Sequence, residues 1–332
     1  MRILIRAAAA LLLVSIFLCI VSCSDTQSED DAPLSVVTTI FPPYDIARNI
    51  AQGTDGVEIT MLLPPGSESH DYEPSVSDIA AVGKADLVIC VGGETDEWID
   101  NILAVSQSKA SVLRLTDMTE LLEEDESVLV TKDASHHSHS HEHTHEHTHE
   151  HGEDCVFDEH VWTSPENAAK ITETIAEEMC RLSGEDKDTF KTNAAAYAAS
   201  LREVQREMNS LAKESDTEML IFADRFPFRY LADSIGIDCR AAFSGCASDS
   251  EVTLEAVYRL MSLVRETEAR AIFTCEFSSR NAANLIAEET GCRVLELHSC
   301  HNVSKEDFDS GVTCLTLMRR NLDCLKEVLL GN

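Results

Sequence analysis

Positive charge is scarce in this sequence. Lys and Arg number 26 against 59 Asp and Glu, a formal net charge of −33. A phosphate backbone would be repelled by such a chain, so nucleic acid is excluded as a partner. The balance suits a soluble protein that handles cations, and solubility alone accounts for most of it. A membrane-length hydrophobic run is also lacking, because the apolar stretch from Ala7 to Val21 is too short to span comfortably. No CxxC pair occurs among the 12 cysteines, which weakens a zinc-ribbon reading. HExxH is absent too, and with it the usual helical signature of a zinc protease.

What is present begins with a processing signal. Arg2 and Arg6 precede the short apolar run, and Ile20-Val21-Ser22-Cys23 ends it. Small residues before a Cys at this place resemble a bacterial lipobox. Residues 1–22 are therefore expected to be a lipoprotein signal peptide, and Cys23 a lipidated N-terminus. Residues 23–34 then form an acidic tether. Such a protein lies outside the cytoplasm, where disulfides are permitted. Seven cysteines lie between Cys239 and Cys324, so one or two disulfides are expected there, with buried free thiols as the alternative.

Beyond the tether, short β-branched runs alternate with amphipathic segments. SVVTTI, VEITMLL and ADLVICVGG read as strands, with helices after the first and around SVSDIAAVGKA and WIDNILAVSQ. EMLIFA, ARAIFTCE and RVLEL repeat the pattern later in the chain, with helices between them and GVTCLTLMRRNLDCLKEVL closing it. Between the two series, Phe190, Ala194, Tyr197, Leu201, Val204, Met208 and Leu211 recur in alternating steps of four and three. That is the stripe of one long amphipathic helix, about 40 Å at 1.5 Å per residue. The predicted fold is α/β: two Rossmann-like lobes bridged by one long rigid helix, with a metal cleft between them. The predicted boundaries are 35–185 for the first lobe, 186–215 for the helix and 216–332 for the second lobe.

An insertion at 132–154 interrupts the first lobe. It holds nine of the 13 histidines: His136, His137, His139, His141, His143, His145, His147, His149 and His151. It has no apolar periodicity and forms no core, so it reads as an auxiliary loop that collects metal weakly, or as a solvated loop of no consequence. The other four histidines each stand at the edge of an element. His70 follows the strand VEITMLL, His298 and His301 follow RVLEL, and His160 precedes a helix opened by Ser164-Pro165. In doubly wound sheets ligands bind outside the carboxyl ends of strands, so these placements point to one metal cleft.

Four motifs carry a family resemblance across nearly the whole chain after the signal: VVTTIFPPYDIARNIA, PPGSESHDYEPSVSDI, ADLVICVGG with EWID, and DEHVWTSPENAAKI. Together they resemble the solute-binding lipoproteins of zinc/manganese ABC importers, the cluster A-I family, and the His-rich insertion resembles its zinc branch. The resemblance implies four metal ligands, two from each lobe. His70 and His160 match the first two, and His298 stands where the family has a carboxylate after the last strand. Arg225, in FADRFPFRYLADSIG, stands where the remaining ligand is expected, and a guanidinium cannot coordinate a metal. Asp224 or His301 would then complete the site, or water would.

Three imidazoles with at most one carboxylate favour Zn²⁺ over Mn²⁺, while Cu²⁺ and Ni²⁺ also bind imidazole well. The resemblance implies capture of Zn²⁺ outside the cytoplasm and delivery to an ABC-transporter permease with its ATPase. The protein is then a lipid-anchored monomer on the outer face of the bacterial cell membrane, and not an enzyme. A zinc-dependent hydrolase with a three-histidine site and water is one alternative, for which Glu276 is the carboxylate to inspect. A surface metal buffer or adhesin is the other.

Overall fold

The computed structural model describes residues 32–68, 72–131, 157–245 and 252–331. The signal peptide, Cys23, most of the tether, His70 and the histidine insertion lie outside the described residues. Of the described residues, those from Leu34 onward belong to one compact unit.

Two four-stranded parallel sheets organise that unit. The first consists of β1 (Leu34–Thr38), β2 (Val57–Met61), β3 (Leu87–Cys90) and β4 (Ser111–Arg114), in the order β2-β1-β3-β4. The second consists of β5 (Met219–Phe222), β6 (Asp238–Ala241), β7 (Ala271–Thr274) and β8 (Arg293–Glu296), in the order β6-β5-β7-β8. The two orders are the same, so each sheet reverses its winding beside its first strand, between β1 and β3 and between β5 and β7. Such a switch point opens a crevice at the strands' carboxyl ends. Every residue of β3 and of β7 is buried, as expected for parallel strands covered on both faces.

Helices α1 (Phe41–Ile50), α2 (Val76–Val82) and α3 (Trp98–Ser106) connect the strands of the first sheet. In the second, α6 (Arg229–Ile235), α7 (Leu254–Glu266) and α8 (Asn281–Thr290) do the same. Between the sheets run α4 (Pro165–Leu182) and α5 (Lys187–Glu214); α9 (Lys305–Asp309) and α10 (Cys314–Leu329) close the chain. The start of α4 is set by its sequence: the Ser164 hydroxyl accepts the amide of Asn167, and Pro165 occupies the first turn. All seven residues of the stripe expected in α5 are buried, where that helix packs on α4, α10 and α1. At 28 residues it is about 42 Å long.

Strands β4 and β6 have no counterpart in the sequence reading. Both are four-residue edge strands, SVLR and DCRA, and neither carries an apolar run. Their place is fixed by pairing with β3 and β5, which no local pattern reports. No helix among the described residues is long and apolar enough to cross a membrane.

Candidate metal centre

The crevice between the sheets is built by three loops of the second lobe and two of the first. The loop after β2 contributes Ser67 and Glu68, and the turn before α4 contributes His160. The loop after β5 supplies Arg225, that after β7 supplies Cys275 and Glu276, and that after β8 supplies Ser299, His301 and Asn302. All these residues line one cavity of about 30 Å³, the space of a single water-sized body.

His160 is held from one side. Only 1% of it is exposed, and its Nδ1 lies 3.1 Å from Oδ1 of Asp158, which also accepts the backbone amide of His160 at 2.8 Å. The Tyr230 hydroxyl donates to the Asp158 carbonyl at 2.7 Å and fixes that segment in turn. A carboxylate on Nδ1 orients the ring and leaves Nε2 as the donor for an ion, an arrangement usual for zinc-bound histidine. Burial opposes protonation of His160, but Asp158, Glu159 and Glu124 outweigh it, and its pKa is raised above the ordinary histidine value.

His301 faces His160 across the cavity, with ring centroids 5.7 Å apart and the planes nearly perpendicular. Trp162 packs 5.4 Å from His160 and 5.3 Å from His301, so one indole positions both imidazoles. Its Nε1 donates to the carbonyl of Ser299 at 2.9 Å, tying the turn before α4 to the loop after β8. Asn302 reaches the other way and donates to the carbonyls of Pro64 and Ser67, at 2.9 and 2.8 Å. The loop that carries His301 is thereby bonded to the loop that leads toward His70.

His298 and Asp224 do not line this cavity. The Nδ1 of His298 accepts the amide of Cys300 at 3.0 Å and lies 3.7 Å from Glu276 Oε1. Its backbone is clamped by Asn321, which accepts from the amide and donates to the carbonyl, both at 2.8 Å. Burial disfavours the charged ring, but the Glu276 carboxylate outweighs it and raises the pKa of His298 to about 9. Asp224 spends its carboxylate on two backbone amides, those of Arg225 at 2.8 Å and Cys275 at 3.3 Å. Glu276 accepts the amide of Ser299 at 2.8 Å and the Ser299 hydroxyl as well. It braces the histidine loop rather than standing as a general base.

Arg225 pairs with Glu68 from the opposite loop, both guanidinium nitrogens lying 3.1 Å from its carboxylate oxygens. The sequence placed a cation where a ligand was expected, and this bidentate pair is where its charge is met. Sequence reasoning missed Trp162 and Asp158 as the residues that position the rings. The signal for Asp158 was present in DEHVW, two residues from the histidine. Among the described residues, no group of three or more His, Cys, Asp and Glu side chains is arranged to hold a metal. The geometry brings two imidazoles together in one cavity.

A family model described as the zinc-uptake complex component A, periplasmic (ZnuA), matches residues 36–328. The chain belongs to the ZnuA family. Among similar proteins, the zinc-binding lipoprotein AdcA of Streptococcus pneumoniae is 29% identical over 320 residues, covering 96% of this chain and 60% of its own length. This chain thus spans about 60% of the length of the streptococcal relatives it matches. The high-affinity zinc uptake system protein ZnuA of Bacillus subtilis is 27% identical over 322 residues, covering 95% of each chain. Among solved structures, the metal-dependent lipoprotein YcdH of B. subtilis aligns with a TM-score of 0.71 at 25% identity, over 90% of this chain and 99% of that one. The two-lobed ZnuA fold with its long connecting helix is the fold predicted from the sequence.

Proposed function

We propose that this ZnuA-family chain captures Zn²⁺ outside the cytoplasm and delivers it to an ABC-type permease with its ATPase. It works as a monomer, held at the outer face of the membrane by a lipid on Cys23. The observation that carries the reading is the nearly perpendicular pair of imidazoles, His160 and His301, lining a cavity with the space of a single water-sized body. Nitrogen donors of this kind suit zinc better than manganese. His70, from the loop to which Asn302 is bonded, is proposed as the third donor. His298 is proposed as a support of the loop that carries His301, and Asp224 as a brace between the loops after β5 and β7, rather than as donors. Capture makes and breaks no covalent bond, and Glu276, the carboxylate of the hydrolase alternative, is engaged by the amide and hydroxyl of Ser299. The nine-histidine insertion is proposed to gather metal weakly beside the tight site.

The test is a zinc titration against a competing chelator on single variants. His160→Ala and His301→Ala are each expected to weaken binding by on the order of 100-fold, because a lost donor costs at least as much as a lost supporting residue. His298→Gln is expected to cost about tenfold or less, and Asp224→Ala to act on stability first. Deletion of 135–152 should remove weak equivalents and leave one tight event. Wild-type affinity in His301→Ala, with a large loss in His298→Gln, would reverse the assignment of the two histidines.

A further inference from the structure

The side chains that line the metal cavity differ in exposure. His160, Glu276, Ser299 and Asn302 are buried, whereas Glu68, Arg225 and Phe277 reach solvent and mark the mouth. Across that mouth Arg225 and Glu68 join the loops after β5 and β2 by two parallel bonds of 3.1 Å, with 23% and 40% of their side chains exposed. The backbones behind the pair are fixed. The Arg225 amide donates to Asp224, and the Arg225 carbonyl accepts the Cys275 thiol at 3.3 Å. On the other side, the Gly66 amide donates to the carbonyl of Val303 at 2.8 Å, and the Ser67 carbonyl accepts from Asn302. These ties between the lobes persist when the ion pair parts. Only two side chains need swing for the mouth to widen.

We propose that the Arg225–Glu68 pair is a side-chain gate over the metal cavity, through which the ion passes in both directions. Joined, the two side chains span the mouth of a space that holds one water-sized body; parted, they leave it open. A partly exposed ion pair favours its joined form by a factor of about five at most, and the bidentate fork places this one near that limit. The pair joins in the same way with or without an ion behind it. The gate therefore slows entry and release alike and leaves the affinity nearly unchanged. This is a positioning role, and neither residue is asked to bind zinc. The effect on zinc rests on the capture reading above; the gate itself does not.

The experiment compares wild type with Arg225→Lys, which keeps the charge but has no fork, and with Glu68→Gln, which keeps the shape but loses the charge. Zinc entry and release are followed by stopped flow with a chromogenic chelator. Each variant is expected to speed both rates by about three- to fivefold, at an affinity within about twofold of wild type. Charge alone gives a different result: Arg225→Lys would change neither rate, and Glu68→Gln would slow entry by leaving a bare cation at the mouth. Either of those outcomes, or release that quickens without entry, overturns the gate. A second readout needs no zinc. Cys275 lines the cavity as a free thiol, and Cys90 is a free thiol buried in the first sheet. Metal-free protein is labelled with a small methanethiosulfonate and mapped by peptide. Cys275 should react about three- to fivefold faster in both variants, and Cys90 at the wild-type rate. Unchanged labelling of Cys275, or equal acceleration at both cysteines, overturns the gate. Faster labelling of Cys275 alone in a protein that binds no zinc supports the gate and counts against the capture reading instead.

Discussion

Gly245 lies against the ring of His160, and a Cβ built there would come within 2.9 Å of Cε1 and 3.1 Å of Nδ1. The ring has little room to retreat, since Trp162 packs on it and Asp158 holds Nδ1. Gly245→Ala is therefore expected to push His160 off its bond to Asp158 and weaken zinc binding by about tenfold, the usual cost of disturbing a ligand's support. A chelator competition on a variant with wild-type circular dichroism checks this, and unchanged affinity would show that the ring adapts. At this scale the sequence was informative where a residue type met a strong local signal. His160 could be singled out because Ser164 and Pro165 fix the helix that follows it. Which of His298 and His301 turns inward was not legible. They stand three residues apart on an irregular loop, and the positive φ of Cys300 between them redirects the chain without any periodic trace.

Elements are joined around a single buried carboxylate. Asp45 in α1 accepts the Tyr197 hydroxyl of α5 at 2.7 Å, the Cys314 amide of α10 at 2.8 Å and Arg48 at 2.6 Å. Burial raises its pKa despite these donors, so the group depends on each of them. Tyr197→Phe keeps the packing and removes one donor, and it is expected to cost about 1–2 kcal/mol of stability. The lesion is remote from the two imidazoles, so zinc affinity should be unchanged. Chemical denaturation paired with a zinc titration reads both, and a loss of affinity at full stability would contradict it. The stripe that buries Tyr197 was plain in the sequence, because a period repeated over 28 residues leaves one face only. Asp45 was not, since its partners Tyr197 and Cys314 come from two other helices that only the tertiary fold brings to it. The same holds for β4 and β6, which exist because a neighbouring strand offers them an edge.

For the molecule as a whole, protons and zinc compete for the same interior. His160 and His298 both have raised pKa values, the latter about 9, so without metal they are protonated in the folded state at pH values where free histidine is neutral. A raised folded pKa contributes stability that is fully present below the unfolded value of about 6.5 and is lost as pH rises through the folded one. The metal-free protein should therefore lose melting temperature between pH 6.5 and 9. Zinc requires neutral imidazole, and its binding strengthens over that range as protons leave. The two trends oppose each other, so the increase in melting temperature on adding zinc should widen steadily from pH 6.5 to 9. On acidification the affinity should already fall above pH 6.5, before an ordinary histidine site would respond. Thermal melts with and without zinc across that range, in buffers that do not bind metal, check both statements. A constant increment would mean that His160 exchanges no proton for the ion. His298→Gln separates the two effects: it should flatten the decline of the metal-free protein toward pH 9, while the widening of the increment, which comes from His160, survives.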